Sequence, residues 1–128
     1  MFSHVTVGSS DIARSAGFYD AALAPLGITQ TYRDEESVGY GVGPDGESGF
    51  WVLTPFDNQP MHPGNGVHTA FNAGTRAVVD AFYAAAIANG GTDEGGPGLR
   101  PQYHEHYFAA YVRDPDGNKL QAVCHLAE

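Results

Sequence analysis

The sequence predicts an α+β fold: two βαβββ modules in tandem, forming a curled mixed sheet (a cup) with the helices on its outer face. Three observations predict it. At an offset of 64, His4 falls on His68, Phe18-Tyr19 on Phe82-Tyr83, Ala21-Ala22 on Ala85-Ala86, Leu23 on Ile87 and Gly27 on Gly91. Matches that run through a strand, a helix and a helix stop in one register point to an internal duplication. Gly 17 and Pro 8 in 128 residues demand many turns, hence several short strands rather than a helical bundle. The same order of apolar periodicities, strand-like and then helix-like, recurs in both halves.

The first module spans 1–60. "HVTV" is a short β-branched strand, and Ser9, Ser10 and Asp11 are candidate N-caps for the helix behind it. Ile12, Ala16, Tyr19 and Leu23 recur at helical spacing, and Gly27 stops the helix. "ITQTYRD", "SVGYGVG" and "GFWVLTPF" read as three strands punctuated by acidic and Pro-Asp-Gly turns.

Residues 61–66 link to the second module, which spans 61–128. "VHTAFNA" is its first strand and Thr75 its helix cap. Val78, Val79, Phe82, Ala86 and Ile87 form the stripe to be buried, and Asn89-Gly90-Gly91 ends the helix. "GGTDEGGPGLRPQ" reads as a Gly/Pro-rich connection; "HYFAAYVRD" and "NKLQAVCHL" form a hairpin joined through DPDG.

A helix packed on one sheet face requires an apolar strand face to meet it. Val5 and Val7, then Val67, Thr69 and Phe71, then Leu120, Ala122 and Cys124 supply that face. His4, His68 and Gln121 consequently point to the face that no helix covers, together with either Val52 or Trp51. Neutral imidazoles on such a face are candidate ligands for first-row metal ions, and Gln121 offers a third donor.

The bulk numbers exclude several classes. A net charge of -9 with only 6 Lys and Arg argues against nucleic acid, where counterion release rewards basic residues. A single cysteine, Cys124, allows no internal disulfide and suits a reducing cytoplasm. "MFSHVTV" carries neither a basic leader nor a long apolar run, so no export signal and no membrane segment are expected there.

On these residues the chain resembles the vicinal oxygen chelate superfamily: glyoxalase I, bleomycin-resistance proteins, fosfomycin-resistance transferases and extradiol dioxygenases. The resemblance rests on the doubled unit, the histidine in each unit's first strand and the "DPDGNKLQAV" hairpin, and it covers essentially the whole chain. It implies a divalent ion (zinc, iron, manganese or nickel) held by His4, His68 and Gln121, and a homodimer. Gln121 stands where the family usually has Glu, and Val52 where a glyoxalase I places another Glu. The implied set is therefore two imidazoles and an amide, which adds no negative charge to offset the ion. Glu47 or Glu105 could supply a carboxylate from a loop.

"RPQYHEHYFAAY" clusters further candidates beside the terminal hairpin. His104 and Tyr107 are the expected proton-transfer groups, and Tyr103, Tyr111, Arg100 and Trp51 the expected substrate contacts. Read this way, the chain is a metal-dependent small-molecule enzyme that stabilises an enolate or oxyanion, by lyase, isomerase or dioxygenase chemistry. The alternative is a metal-free protein, like the bleomycin-resistance members, that sequesters a drug or metabolite. The partner in either case is a small molecule, not nucleic acid or membrane.

Overall fold

Asp11 and Thr75 start the two helices: each lies in extended backbone and accepts a hydrogen bond from the amide three residues on, Arg14 and Val78, in the computed structural model, which describes residues 1–128. That contact satisfies one of the helix's orphan donors. Helix α1 (Ile12–Leu23) buries Ile12, Ala16, Phe18, Tyr19, Ala22 and Leu23, runs into a 3-10 turn, and is stopped by Gly27 at φ 73. Helix α2 (Arg76–Ala88) buries Val79, Phe82 and Ala86, while Val78 is half-buried and Ile87 exposed.

The strands are β1 (Val5–Gly8), β2 (Ile28–Arg33), β3 (Ser37–Val42), β4 (Phe50–Leu53), β5 (His68–Asn72), β6 (Thr92–Leu99), β7 (Phe108–Arg113) and β8 (Lys119–Cys124). They form two open four-stranded mixed sheets, ordered β1-β4-β3-β2 and β5-β8-β7-β6. In each, the first strand pairs parallel with the last and the remaining pairs are antiparallel. The chain is thus α+β, with two tandem βαβββ modules. The stretch expected to be only a Gly/Pro-rich connection is strand β6. Its pairing with β7 slips twice, between Asp93 and Gly95 and between Gly95 and Gly98, so period-2 alternation never shows in its sequence.

One face of each sheet meets the helices. Val38, Tyr40, Phe50 and Val52 from the first module join Phe71, Val112, Leu120, Ala122 and Cys124 from the second in a single core of 18 buried residues. Phe50 and Phe71 meet edge to face across the modules, with ring centroids 5.2 Å apart. No helix is long and apolar enough to cross a membrane.

The turn Asp114–Gly117 fastens the second module to the first. Asp114 accepts from the Tyr19 hydroxyl at 2.5 Å and from both the backbone and side-chain nitrogens of Asn118. Asn118 in turn donates Nδ2 to the carbonyl of Gly8, at the end of β1. Asp116 accepts from the backbone and hydroxyl of Ser10 and from Arg14. Burial pushes the Tyr19 phenol well above its ordinary value, and the neighbouring Asp114 carboxylate pushes it further. Gly117, at φ 92, takes the left-handed conformation that closes the turn. The DPDGN motif is therefore an inter-module clasp as well as a hairpin loop.

Candidate functional site

The strand registers sort the uncovered faces residue by residue. Ala70 stands opposite Gln121, and Gln121 opposite Tyr111, so all three share the open face of the second sheet. Two pairs further along, His68, Lys119 and Arg113 form a second row on the same face. On the first sheet, Thr6 stands opposite Trp51 and Trp51 opposite Gly39. Val52 lies in the core, fully buried, so Trp51 rather than Val52 occupies the open face. The offset of 64 maps Thr6 onto Ala70, and their pairing partners on the last strand of each sheet, Trp51 and Gln121, are therefore counterparts in register.

The two open faces differ in what fills them. On the first, Trp51 packs against Tyr32 with centroids 5.6 Å apart and donates Nε1 to the Ser48 carbonyl at 3.2 Å. A Cβ on Gly39 would come within 2.9 Å of the Trp51 ring, so the face has no room left at that point. The second face holds a cavity of about 450 Å³ lined by His68, Glu94, Gly95, Arg100, Gln102, Tyr103, Tyr107, Tyr111, Lys119 and Gln121.

Within it, Gln121 is 1% exposed and donates Nε2 to the Tyr107 hydroxyl at 2.5 Å. The His68 ring meets Tyr111 edge-on at 6.1 Å. Tyr103 leans on Tyr107 at 4.8 Å, making a phenolic wall. Burial pushes the Tyr111 phenol up to about 12, with the neighbouring Tyr107 and Tyr103 adding to the shift and the Arg100 guanidinium opposing it. Tyr111 is therefore a hydrogen-bonding phenol, not a phenolate, at neutral pH.

Of the nine residues expected from sequence, this cavity brings together six: His68, Gln121, Tyr107, Tyr103, Tyr111 and Arg100. Trp51 stays on the other module's face, and His4 is exposed ahead of β1 with Nδ1 bonded to the Ser3 hydroxyl at 2.8 Å. No cavity is lined by both open faces. His104 lies behind Tyr107: it stacks on His125, Nε2 to Nδ1 at 2.9 Å, and Tyr107 meets both rings edge-on.

The sequence reading missed Glu94, Gly95, Gln102, Lys119 and the partnership of His125. Lys119 was within reach, since it alternates with Gln121 along β8. Glu94 and Gly95 were hidden by the unrecognised strand β6.

No three His, Cys, Asp or Glu side chains come together to hold a metal ion. The cavity's carboxylate, Glu94, is engaged by Arg113 at 2.6 Å, and neither Glu47 nor Glu105 lines it. One chain thus offers an ion His68 and Gln121, two neutral donors. That set fits a resident divalent cation only if a further donor reaches it from outside the chain.

The chain belongs to the glyoxalase/bleomycin resistance protein/dioxygenase superfamily, whose family model matches residues 1–122. It is similar to a glyoxalase/bleomycin resistance protein from Albidiferax ferrireducens T118, at 44% identity and TM-score 0.84, covering 97% of this chain and 98% of that one. The fold is shared with a lactoylglutathione lyase from Agrobacterium tumefaciens (18% identity, TM-score 0.62, 94% and 91% covered). It is shared too with the fosfomycin resistance protein FosX from Listeria monocytogenes (15% identity, TM-score 0.69, 97% and 92% covered). No protein among the curated ones matches the chain.

Proposed function

We propose that the protein is a cytoplasmic homodimeric enzyme of the glyoxalase/dioxygenase type. In this reading the second module's cavity binds a small substrate, and His68, Gln121 and His4 of the partner subunit hold a divalent ion. The observation that carries it is the meeting of His68 and Gln121, far apart in sequence, in one cavity walled by three tyrosines. Dimerisation has its own support. Strands β1 and β5 are uncovered sheet edges, and beside their histidines Phe2 is 76% and Val67 67% exposed. Unpaired edges flanked by apolar side chains invite pairing with a second copy.

When bound, the ion supplies Lewis acidity for an enolate or oxyanion, by lyase, isomerase or dioxygenase chemistry. The chain's own residues do the rest. Tyr107 holds the Gln121 amide nitrogen, which leaves the amide oxygen as the donor atom. In this reading Tyr107, which lines the cavity where His104 does not, is the group that gives or takes a proton there. Tyr103 and Tyr111 exclude water from one side of the substrate.

A second reading, metal-free sequestration of a drug or metabolite, is favoured by the neutral donor pair and by the engagement of Glu94 with Arg113. Elemental analysis of protein purified without chelators separates the two. The enzyme reading expects stoichiometric metal, lost in His68→Ala and held more tightly in Gln121→Glu. Metal-free native protein, with His68→Ala folded and equally metal-free, overturns the metal reading and favours sequestration.

A further inference from the structure

The chain's few cations are concentrated at the cavity. Of the 6 Lys and Arg in a chain of net charge -9, Arg100 and Lys119 line it directly. Both sit over the same ring: the Arg100 guanidinium carbon lies 5.5 Å from the Tyr111 centroid, and Lys119 Nζ lies 5.3 Å from it. Neither has a carboxylate partner, because the chain's salt bridges are Arg14–Asp116, His106–Glu105 and Arg113–Glu94. Glu94, the carboxylate at the cavity, is thereby taken by a third cation.

The backbone is arranged to hold Arg100 there. Its guanidinium folds back over β6, donating Nη2 to the Gly96 carbonyl at 2.8 Å. It does so over positions without side chains: a Cβ on Gly95 or Gly98 would come within 3.3 or 3.1 Å of its Nη atoms. Two unpaired cations resting on aromatic faces gain from the ring quadrupole, yet the phenol bears no net charge at neutral pH. The remaining demand for negative charge falls on whatever enters the cavity.

Resting on the proposal that this cavity is the ligand site, we infer that its ligand is a small planar carboxylate whose anionic group is held by Arg100 and Lys119 while its plane packs against the tyrosine wall. Recognition by these two side chains is independent of any ion at His68 and Gln121. An acidic protein thereby selects an anion through local charge that opposes its net charge.

Isothermal titration of the native protein with benzoate, its neutral isostere benzamide and cationic benzylamine tests this. Benzoate should bind about tenfold or more tighter than benzamide, as charge-assisted contacts require, and benzylamine weaker still. Arg100→Gln and Lys119→Met, checked for unchanged thermal unfolding, should each weaken benzoate about fivefold or more, and Arg100→Lys less. Chelator treatment should leave these differences intact, even in protein that proves to contain no metal, so this inference survives a failure of the metal reading. Equal binding of benzoate and benzamide, or a preference for benzylamine, overturns it. So does benzoate binding that chelator abolishes while Arg100→Gln and Lys119→Met leave it unchanged, since the ion would then hold the anion.

Discussion

Trp51 and Gln121 occupy equivalent positions in the two modules, opposite Thr6 and Ala70 respectively, and of the two only Gln121 lines a cavity. The indole fills the first open face against Gly39. The shorter amide leaves room for Tyr111 opposite it and for the cavity above. The two faces are equivalent in register but carry a large residue on different strands, Trp51 opposite Gly39 in one and Tyr111 opposite Gln121 in the other.

The bond from Gln121 to Tyr107 is testable by its loss. Gln121→Leu should lower unfolding stability by about 1 kcal/mol, since the Tyr107 hydroxyl it abandons lines an open cavity and can turn to water. Tyr107→Phe should cost more, about 1–3 kcal/mol, because it strands an almost fully buried amide nitrogen. Urea unfolding of both variants checks the order.

The clasp at Asp114 predicts a larger effect. Asp114→Ala removes the acceptor for the Tyr19 hydroxyl and two Asn118 donors at once, and should cost about 3–5 kcal/mol, since several hydrogen bonds to one buried carboxylate are lost together. Tyr19→Phe, which leaves the Asn118 contacts in place, should cost about 1.5–3 kcal/mol. Equal losses in the two variants would contradict this apportionment.

Asp116 gives the clasp an acid limit. Burial alone would raise this carboxyl, but the Ser10 hydroxyl and amide and the Arg14 guanidinium outweigh it and hold it below the ordinary value of 3.8. The depressed folded value means that its contribution is fully present above the unfolded value and is lost as pH falls through the folded one. Below about pH 4 the urea midpoint of the native protein should therefore decline more steeply than that of Asp116→Asn, with the difference flattening once both carboxyl states are protonated. Parallel declines would show that Asp116 is not the group responsible.

Gly95 combines φ 143 with the closeness of Arg100 and Tyr111, 3.3 and 3.4 Å from where a Cβ would stand. Gly95→Ala should be destabilised by roughly 1–3 kcal/mol through backbone strain. Gly96→Ala, with nothing within 4 Å of its Cβ, should cost much less. Thermal unfolding of the pair measures the difference.

The fold was legible because its signals are local and doubled. Asp11 and Thr75 announce the helices, Gly27 and Asn89-Gly90 end them, and the offset that aligns His4 with His68 carries the architecture. Strand β6 was not legible, because two register slips in a glycine-rich segment erase the alternation that marks a strand. The site was legible where facing decides it: Gln121 and His68 follow from the parity of β8 and β5. It was not legible where side chains choose among neighbours. Nothing in the crowded run "YHEHY", Tyr103 to Tyr107, says that His104 turns to His125 while Tyr107 turns to Gln121.

The central claim is that each site is shared between subunits, His4 from one and His68 with Gln121 from the other. The most direct measurement is the metal content of a mixed protein, made by co-refolding equal amounts of His4→Ala and His68→Ala. Neither variant alone should hold metal. In the random mixture half the dimers carry one chain of each kind, and each of these regains one of its two sites, so metal should return to roughly a quarter of the native level. A mixture as empty as the separate variants, beside metal-replete native protein, would contradict the shared site.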